Sequence, residues 1–247
     1  MSGHSKWNNI KRTKEKTDAQ KGKIFTKIGR EIAVIVKAGG ADPETNSKLK
    51  DAIAKAKQSN MPNDTILRSI KKASGELGNI NYEEITYEGY GVGGSAVIVK
   101  CLTDNKNRTA ADIRHLFDKY GGSLGSTNCV SFMFDNKGQI YIMREEGLDE
   151  DALMMTALDL GATDVVEDVD CLIVVTDPND TVKVKEGLEK EGFKVDSFES
   201  GLVPQNYVVL DEQKLKTFQT MLDKMDDLDD VQEVFHNVDM PEVEFED

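Results

Sequence analysis

Residues 139–198 read QIYIMREEGLDEDALMMTALDLGATDVVEDVDCLIVVTDPNDTVKVKEGLEKEGFKVDSF. Short apolar runs alternate there with helical spacing, and the order of the two decides the fold. Gln139–Arg144 reads as a strand and Glu150–Leu160 as a helix. Asp164–Glu167 and Cys171–Thr176 read as a strand pair, Thr181–Glu191 as a second helix and Phe193–Phe198 as a last strand. That order, β-α-β-β-α-β, is the ferredoxin-like arrangement.

Working outward, Tyr82–Tyr87 and Ser95–Leu102 have strand character, and Ala96-Val97-Ile98-Val99 has the continuous apolar run of a central strand. A polar loop, Thr103–Thr109, leads into a helix with Ile113, Leu116 and Phe117 on one face. Cys129–Phe134 then reads as a strand. After Pro204 the pattern is strand (Tyr207–Leu210), helix (Glu212–Met225) and strand (Val231–Asn237). These late elements complete the set begun at residue 82, so the middle unit is expected to be inserted in the outer one. The expected fold is α+β. A helical domain spans 1–78, a discontinuous α/β domain 79–134 and 205–247, and an inserted ferredoxin-like domain 135–204.

The first domain reads as a small bundle. Ile24, Ile28, Ile32 and Ile35 recur at helical spacing from about Asp18, and Gly39-Gly40 stops that helix. A second helix is expected over about 44–59, with Leu49, Ile53 and Ala56 inward. A third begins near Asn63, read as its N-cap. Residues 1–17 have little apolar periodicity and form a basic arm whose one aromatic is Trp7.

Charge separates the same two parts of the chain. Residues 1–75 hold 17 Lys and Arg against 7 Asp and Glu, a net of +10. The remaining residues hold 14 against 38, a net of −24. A concentrated basic head on an acidic protein suggests a polyanionic partner that docks at one end only. Lysine on solvated helix faces is ordinary, but the excess here has one sign and extends into an arm that needs no charge for folding.

Other chemistries find little support. No apolar run is long enough for a membrane span, and no secretory signal opens the chain. Cys101, Cys129 and Cys171 are odd in number and far apart, as expected of reduced thiols in a cytoplasmic protein. The three histidines share no metal spacing with them. Gly89-Tyr90-Gly91-Val92-Gly93-Gly94 contains G-x-G-x-x-G, but a strand follows it rather than a helix, so it reads as a flexible hairpin and not a dinucleotide site. Asp226, Asp227, Asp229 and Asp230 lack the glycine and distal glutamate of a calcium loop and read as a solvated turn. No cofactor, metal or catalytic residue is expected.

Several blocks together carry a resemblance. Gly3-His4-Ser5-Lys6-Trp7, Gly22–Lys27, Asn60-Met61-Pro62, Tyr87–Gly91, Leu102–Asn105 with Asn107-Arg108-Thr109, and Asp230-Val231-Gln232 occur in the order found in the YebC/PmpR family. Val92 stands where that pattern has proline. The resemblance implies a three-domain cytoplasmic protein, the third domain inserted in the second. The family is described as DNA-binding transcriptional regulators. It is similar to a mitochondrial translational activator of cytochrome oxidase, and bacterial relatives are linked to ribosomes stalled on proline-rich sequences.

Two nucleic-acid targets therefore stay open, duplex DNA and structured ribosomal RNA, the latter through the ribosome. The third helix offers Arg68, Lys71 and Lys72 but few groups that read base edges, which suits sequence-tolerant phosphate contact. A basic arm with an aromatic residue suits folded RNA. The expected contact residues are Lys6, Trp7, Lys11, Arg12, Lys14, Lys21, Lys23, Lys27 and Arg30. Trp7 is equally suited to anchoring the arm by packing. Gly89, Tyr90, Gly91, Asn105, Asn107 and Arg108 form two loops that could reach a functional centre.

Overall fold

The computed structural model describes residues 18–75 and 81–240. The arm residues Lys6, Trp7, Lys11, Arg12 and Lys14 lie outside the described residues. Contacts divide the chain into two compact units. Among the described residues, one takes 131–210 with 237–240; the other takes 18–130 together with 211–236.

The second of these contains the basic helices. α1 (Asp18–Gly39), α2 (Ser47–Gln58) and α3 (Asn63–Ala73) close on a core of Ile28, Ile32, Val36, Leu49, Ala52, Ala56, Met61 and Ile66. The isoleucine spacing of α1 puts Ile28 and Ile32 in that core, with Ile24 and Ile35 packed against it. One side chain finishes one helix and starts the next. Asn46 Oδ1 accepts from Leu49 N as the N-cap of α2, and Asn46 Nδ2 donates to Ile35 O and Gly40 O at the end of α1. A Cβ on Gly39 would sit 2.7 Å from that amide nitrogen, so glycine is required there. α3 begins at its expected N-cap, one residue early: Pro62 holds the cap position and Asn63 is the first helical residue. The fixed φ of proline already sets the entry, and Pro62 O accepts from Thr65 N and Ile66 N.

The same unit holds a four-stranded sheet. β1 (Glu83–Tyr90) and β2 (Ala96–Thr103) pair antiparallel from Glu83↔Thr103 to Tyr90↔Ala96. α4 (Lys106–Lys119) follows, then the two-residue β3 (Ser123–Leu124), which pairs with β1. α7 (Glu212–Asp226) and β8 (Val231–His236) return from the other end of the chain, and β8 pairs antiparallel with β2. The order is β3-β1-β2-β8. β2 is central and buried except at Lys100, as its apolar run requires. The link after β1 forms a defined turn: Gly91 N donates to Ser95 O, and Gly93 and Gly94 take left-handed φ.

The other unit holds β4 (Phe134–Met143), α5 (Glu150–Leu160), β5 (Asp164–Glu167), β6 (Cys171–Thr176), α6 (Thr181–Lys190) and β7 (Ser197–Pro204). Its sheet order, β5-β6-β4-β7, is that of a ferredoxin-like unit. Ile140, Ile142, Leu172 and Val174 face the two helices, and Tyr141, Cys171, Ile173 and Val175 form a second cluster, following the period-two alternation of strands.

Three expected strands are different. Cys129–Phe134 is not a strand: Ser131–Met133 is a short 3-10 turn and β4 starts only at Phe134. Glu88 explains this, because its buried carboxylate accepts from Asn128 N and Val130 N and takes those groups away from ladder pairing. The last strand of the inserted unit begins at Ser197, because Phe193 and Val195 pack into the helix-side core instead. Tyr207–Leu210 contributes a single parallel bridge, Val208↔Val238.

Candidate nucleic-acid interface

α1 carries Lys23, Lys27 and Arg30 at i, i+4 and i+7, a spacing that aligns side chains on one face. Each meets an aspartate at the end of α7 or in the turn before β8. Lys23 Nζ lies 2.6 Å from Asp227, Lys27 Nζ lies 3.4 Å from Asp226, and Arg30 Nη1 bonds Asp230. Acidic residues at a helix C-terminus oppose the helix dipole, so the α1 cations offset an unfavourable placement. Three of the four aspartates of the acidic cluster are therefore paired, and Asp229 is exposed without an ion pair among the described residues.

Asp230 is the centre of this clasp. It is buried and accepts from Arg30, from Arg108 Nη2 (2.9 Å), from Thr109 Oγ1 (2.6 Å) and from Thr103 Oγ1 (3.1 Å). Arg30 also donates to Leu102 O at 3.0 Å, and its guanidinium lies 5.3 Å from the Tyr82 ring centre. Burial alone would raise the Asp230 carboxyl. Hydrogen bonds from Thr109, Arg30 and Arg108 outweigh it and hold the group at about 2. Arg108 is held above its ordinary value by Asp230 and Asp104. Cys101 is pushed up to about 12, first by burial and then by the Asp230 charge, which leaves it an unreactive thiol.

The two loops singled out in the sequence have internal roles. Asn105 is the N-cap of α4, accepting from Arg108 N at 3.2 Å, and Asn107 is exposed in the first turn. Gly89 sits where a Cβ would meet Ser123 O at 2.5 Å, and on Gly91 it would meet Ser95 Oγ at 2.6 Å. Tyr90 donates its hydroxyl to Cys129 O. A pocket of about 280 Å³ beside the clasp is lined by Arg30, Asp104, Arg108, Thr109, Asp112 and Asp230. Asp112, and Asp229 which also lines it, bring acidic charge beyond that of the clasp.

Lys21 is exposed at the start of α1. The larger exposed basic surface is on the other two helices. Lys48, Lys50 and Lys57 on α2 and Arg68, Lys71 and Lys72 on α3 are all exposed, and among the described residues none of the six makes an ion pair. Lys55, the remaining cation there, bonds Glu31 of α1 at 2.9 Å. Sequence reasoning placed its contacts on the arm and α1; it noted that Arg68, Lys71 and Lys72 suit phosphate contact but did not include them or the α2 lysines among the expected contacts. The signal was available in part, since α2 and α3 carry seven cations but only Asp51 and Asp64.

Family models match nearly the whole described chain. Residues 5–76 match the TACO1/YebC protein N-terminal domain, and residues 82–238 match the TACO1/YebC second and third domain. A probable transcriptional regulatory protein of Acetivibrio thermocellus is 60% identical over 238 residues, covering 96% of this chain and 98% of that one. One from Clostridium botulinum is 57% identical over 242 residues, covering 98% of each. The crystal structure of a conserved hypothetical protein from Aquifex aeolicus aligns with a TM-score of 0.77 at 42% identity, over 94% of this chain and 96% of that one. No helix among the described residues is long and apolar enough to cross a membrane.

Proposed function

The chain belongs to the TACO1/YebC family, and from that premise we propose that it is a DNA-binding transcriptional regulator that acts in the cytoplasm without catalysing a reaction. The observation that carries this reading is the set of six exposed cations on α2 and α3 that make no ion pair among the described residues, in a chain whose remainder has opposite net charge. Cations without internal partners remain available to phosphates, and each phosphate contact releases condensed counterions. The acidic body repels a second polyanion and so leaves one docking end. The names of the relatives, probable transcriptional regulatory proteins, support a regulatory role.

One observation favours a second reading, a ribosomal-RNA-binding translation factor that relieves stalling on proline-rich sequences. Trp7 stands inside the basic run from Lys6 to Lys14, and an aromatic side chain between cations suits stacking on a splayed base. Crosslinking in growing cells, with sequencing of both recovered DNA and RNA, separates the two. Enrichment at promoters without ribosomal signal supports the transcriptional reading. Enrichment at discrete ribosomal RNA positions replaces it with the translational one.

A further inference from the structure

The proposed function leaves open which surface of the head meets the nucleic acid. Helical geometry narrows the choice. On α3, Ile66 is buried, and Ile70 and Ala73 pack on the same core at i+4 and i+7. At about 100° per residue, Arg68 and Lys71 lie roughly opposite that stripe, with Leu67 and Lys72 on its two shoulders. All four are exposed. Leu67, at 55% exposure, is an apolar side chain with no core to join. On α2, Lys50 and Lys57 are two turns apart on one flank of the Leu49, Ala52 and Ala56 stripe. Lys55, on the other flank, turns to Glu31 of α1.

α2 and α3 are also joined by only four residues, 59–62. Asn60 takes a left-handed φ of 58° in this connection, the conformation that glycine commonly supplies in helix-turn-helix pairs. In such pairs the second helix enters the major groove while the first crosses the backbone.

We propose that duplex DNA docks on the outer face of α3, with Arg68, Lys71 and Lys72 holding it and Lys50 and Lys57 of α2 as flanking phosphate contacts, and that the α1 face of Lys23, Lys27 and Arg30 takes no part. This inference rests on the nucleic-acid reading above and assigns its surface. Three observations carry it. The α3 face carries three cations against one carboxylate, Asp64, and none of the three makes an ion pair among the described residues. The α1 cations are already matched by Asp226, Asp227 and Asp230. Neither α2 nor α3 contains an aromatic residue that could stack on unpaired bases, which favours a duplex over a single strand. Arg68 offers a planar fork for a bidentate guanine contact, and Leu67 can touch a thymine methyl group, so the docking is weakly selective for sequence.

The test uses the full chain, a 24-base-pair duplex of arbitrary sequence and a structured ribosomal RNA fragment, with affinity read by fluorescence anisotropy across a salt series. The variants are R68Q/K71Q/K72Q and K23A/K27A, each checked for unchanged circular dichroism. If the α3 face holds three phosphates, the triple variant flattens the slope of log affinity against log salt by about 2.7, and affinity at low salt drops roughly tenfold or more. K23A/K27A keeps the wild-type slope. A wild-type slope in the triple variant, or a slope lost in K23A/K27A instead, overturns the assignment of the surface while leaving nucleic-acid binding intact. Binding to the RNA but not to the duplex overturns the choice of DNA. Failure of the wild-type protein to bind either probe removes the function reading itself.

Discussion

On α1, Lys23, Lys27 and Arg30 each meet an aspartate at the end of α7 or in the turn before β8, whereas on α3 Arg68, Lys71 and Lys72 make no ion pair among the described residues. Both helices are basic, and both contribute to the +10 of the first 75 residues. Net charge sets the field felt at a distance. Which cations are available at contact depends on tertiary pairing, and the pairing here joins residues about 200 positions apart, such as Arg30 and Asp230. The same kind of residue therefore has two uses in one small bundle, holding the chain together on one helix and facing solvent on the other.

The sharpest way to break this comparison is to remove the centre of the clasp. Asp230→Ala leaves Arg30 part-buried without its partner and strips Thr103 and Thr109 of their acceptor. Breaking a buried pair by deleting one member costs about 3–5 kcal/mol. Exchanging the exposed α3 cations for glutamine should change stability by no more than about 0.5 kcal/mol. Urea unfolding midpoints check both. Equal effects of the two changes would mean that the clasp is no more structural than the open face.

Acid sharpens the contrast further. The Asp230 carboxyl is held at about 2 against an ordinary 3.8, and Asp227 is also lowered, chiefly by Lys23. A carboxyl depressed by folding adds stability that is complete above its unfolded value and is lost as pH falls through its folded one. The Asp230 contribution is thus full above about pH 4 and disappears toward pH 2. Asp230→Asn should flatten the fall of stability across that window, whereas R68Q/K71Q/K72Q should leave its steepness unchanged. Thermal unfolding at half-unit pH steps reads the difference.

How much of this was legible follows from how far apart the interacting residues are. The isoleucine spacing of α1 and the alternation in β4 and β6 are local patterns, and both helix and strands appear where those patterns lie. Cys129–Phe134 looked like a strand because Val130, Phe132 and Phe134 alternate. Glu88, some 40 residues earlier, captures the backbone of Asn128 and Val130, and Asn128 adopts φ 65°. Phe193 and Val195 have strand composition, yet they fill the helix-side core, and pairing with β4 begins at Ser197. The same holds for the candidate site. The basic residues are plain in the sequence, but the acids that claim Lys23, Lys27 and Arg30 stand at positions 226–230, where they read as a solvated turn.

The smallest expected effect tests whether the clasp is graded along its own length. In the Lys23–Asp227 pair both side chains are substantially exposed, 40% and 47%, whereas Arg30 and Asp230 are 13% and 10% exposed. Solvent screens the first pair and pays back most of its Coulomb energy as lost hydration, so a double-mutant cycle with Lys23→Ala and Asp227→Ala should give about 0.2–1 kcal/mol. One molar salt shortens the screening length to about 3 Å and should abolish that coupling. The Arg30–Asp230 coupling, largely shielded from solvent, should survive the same salt. If both couplings vanish together, the α1 face is only electrostatically loose surface, and its lysines become as available to phosphate as those of α3. If only the outer one vanishes, α1 is fixed from its Arg30 end, and raising salt frees Lys23 without loosening the bundle.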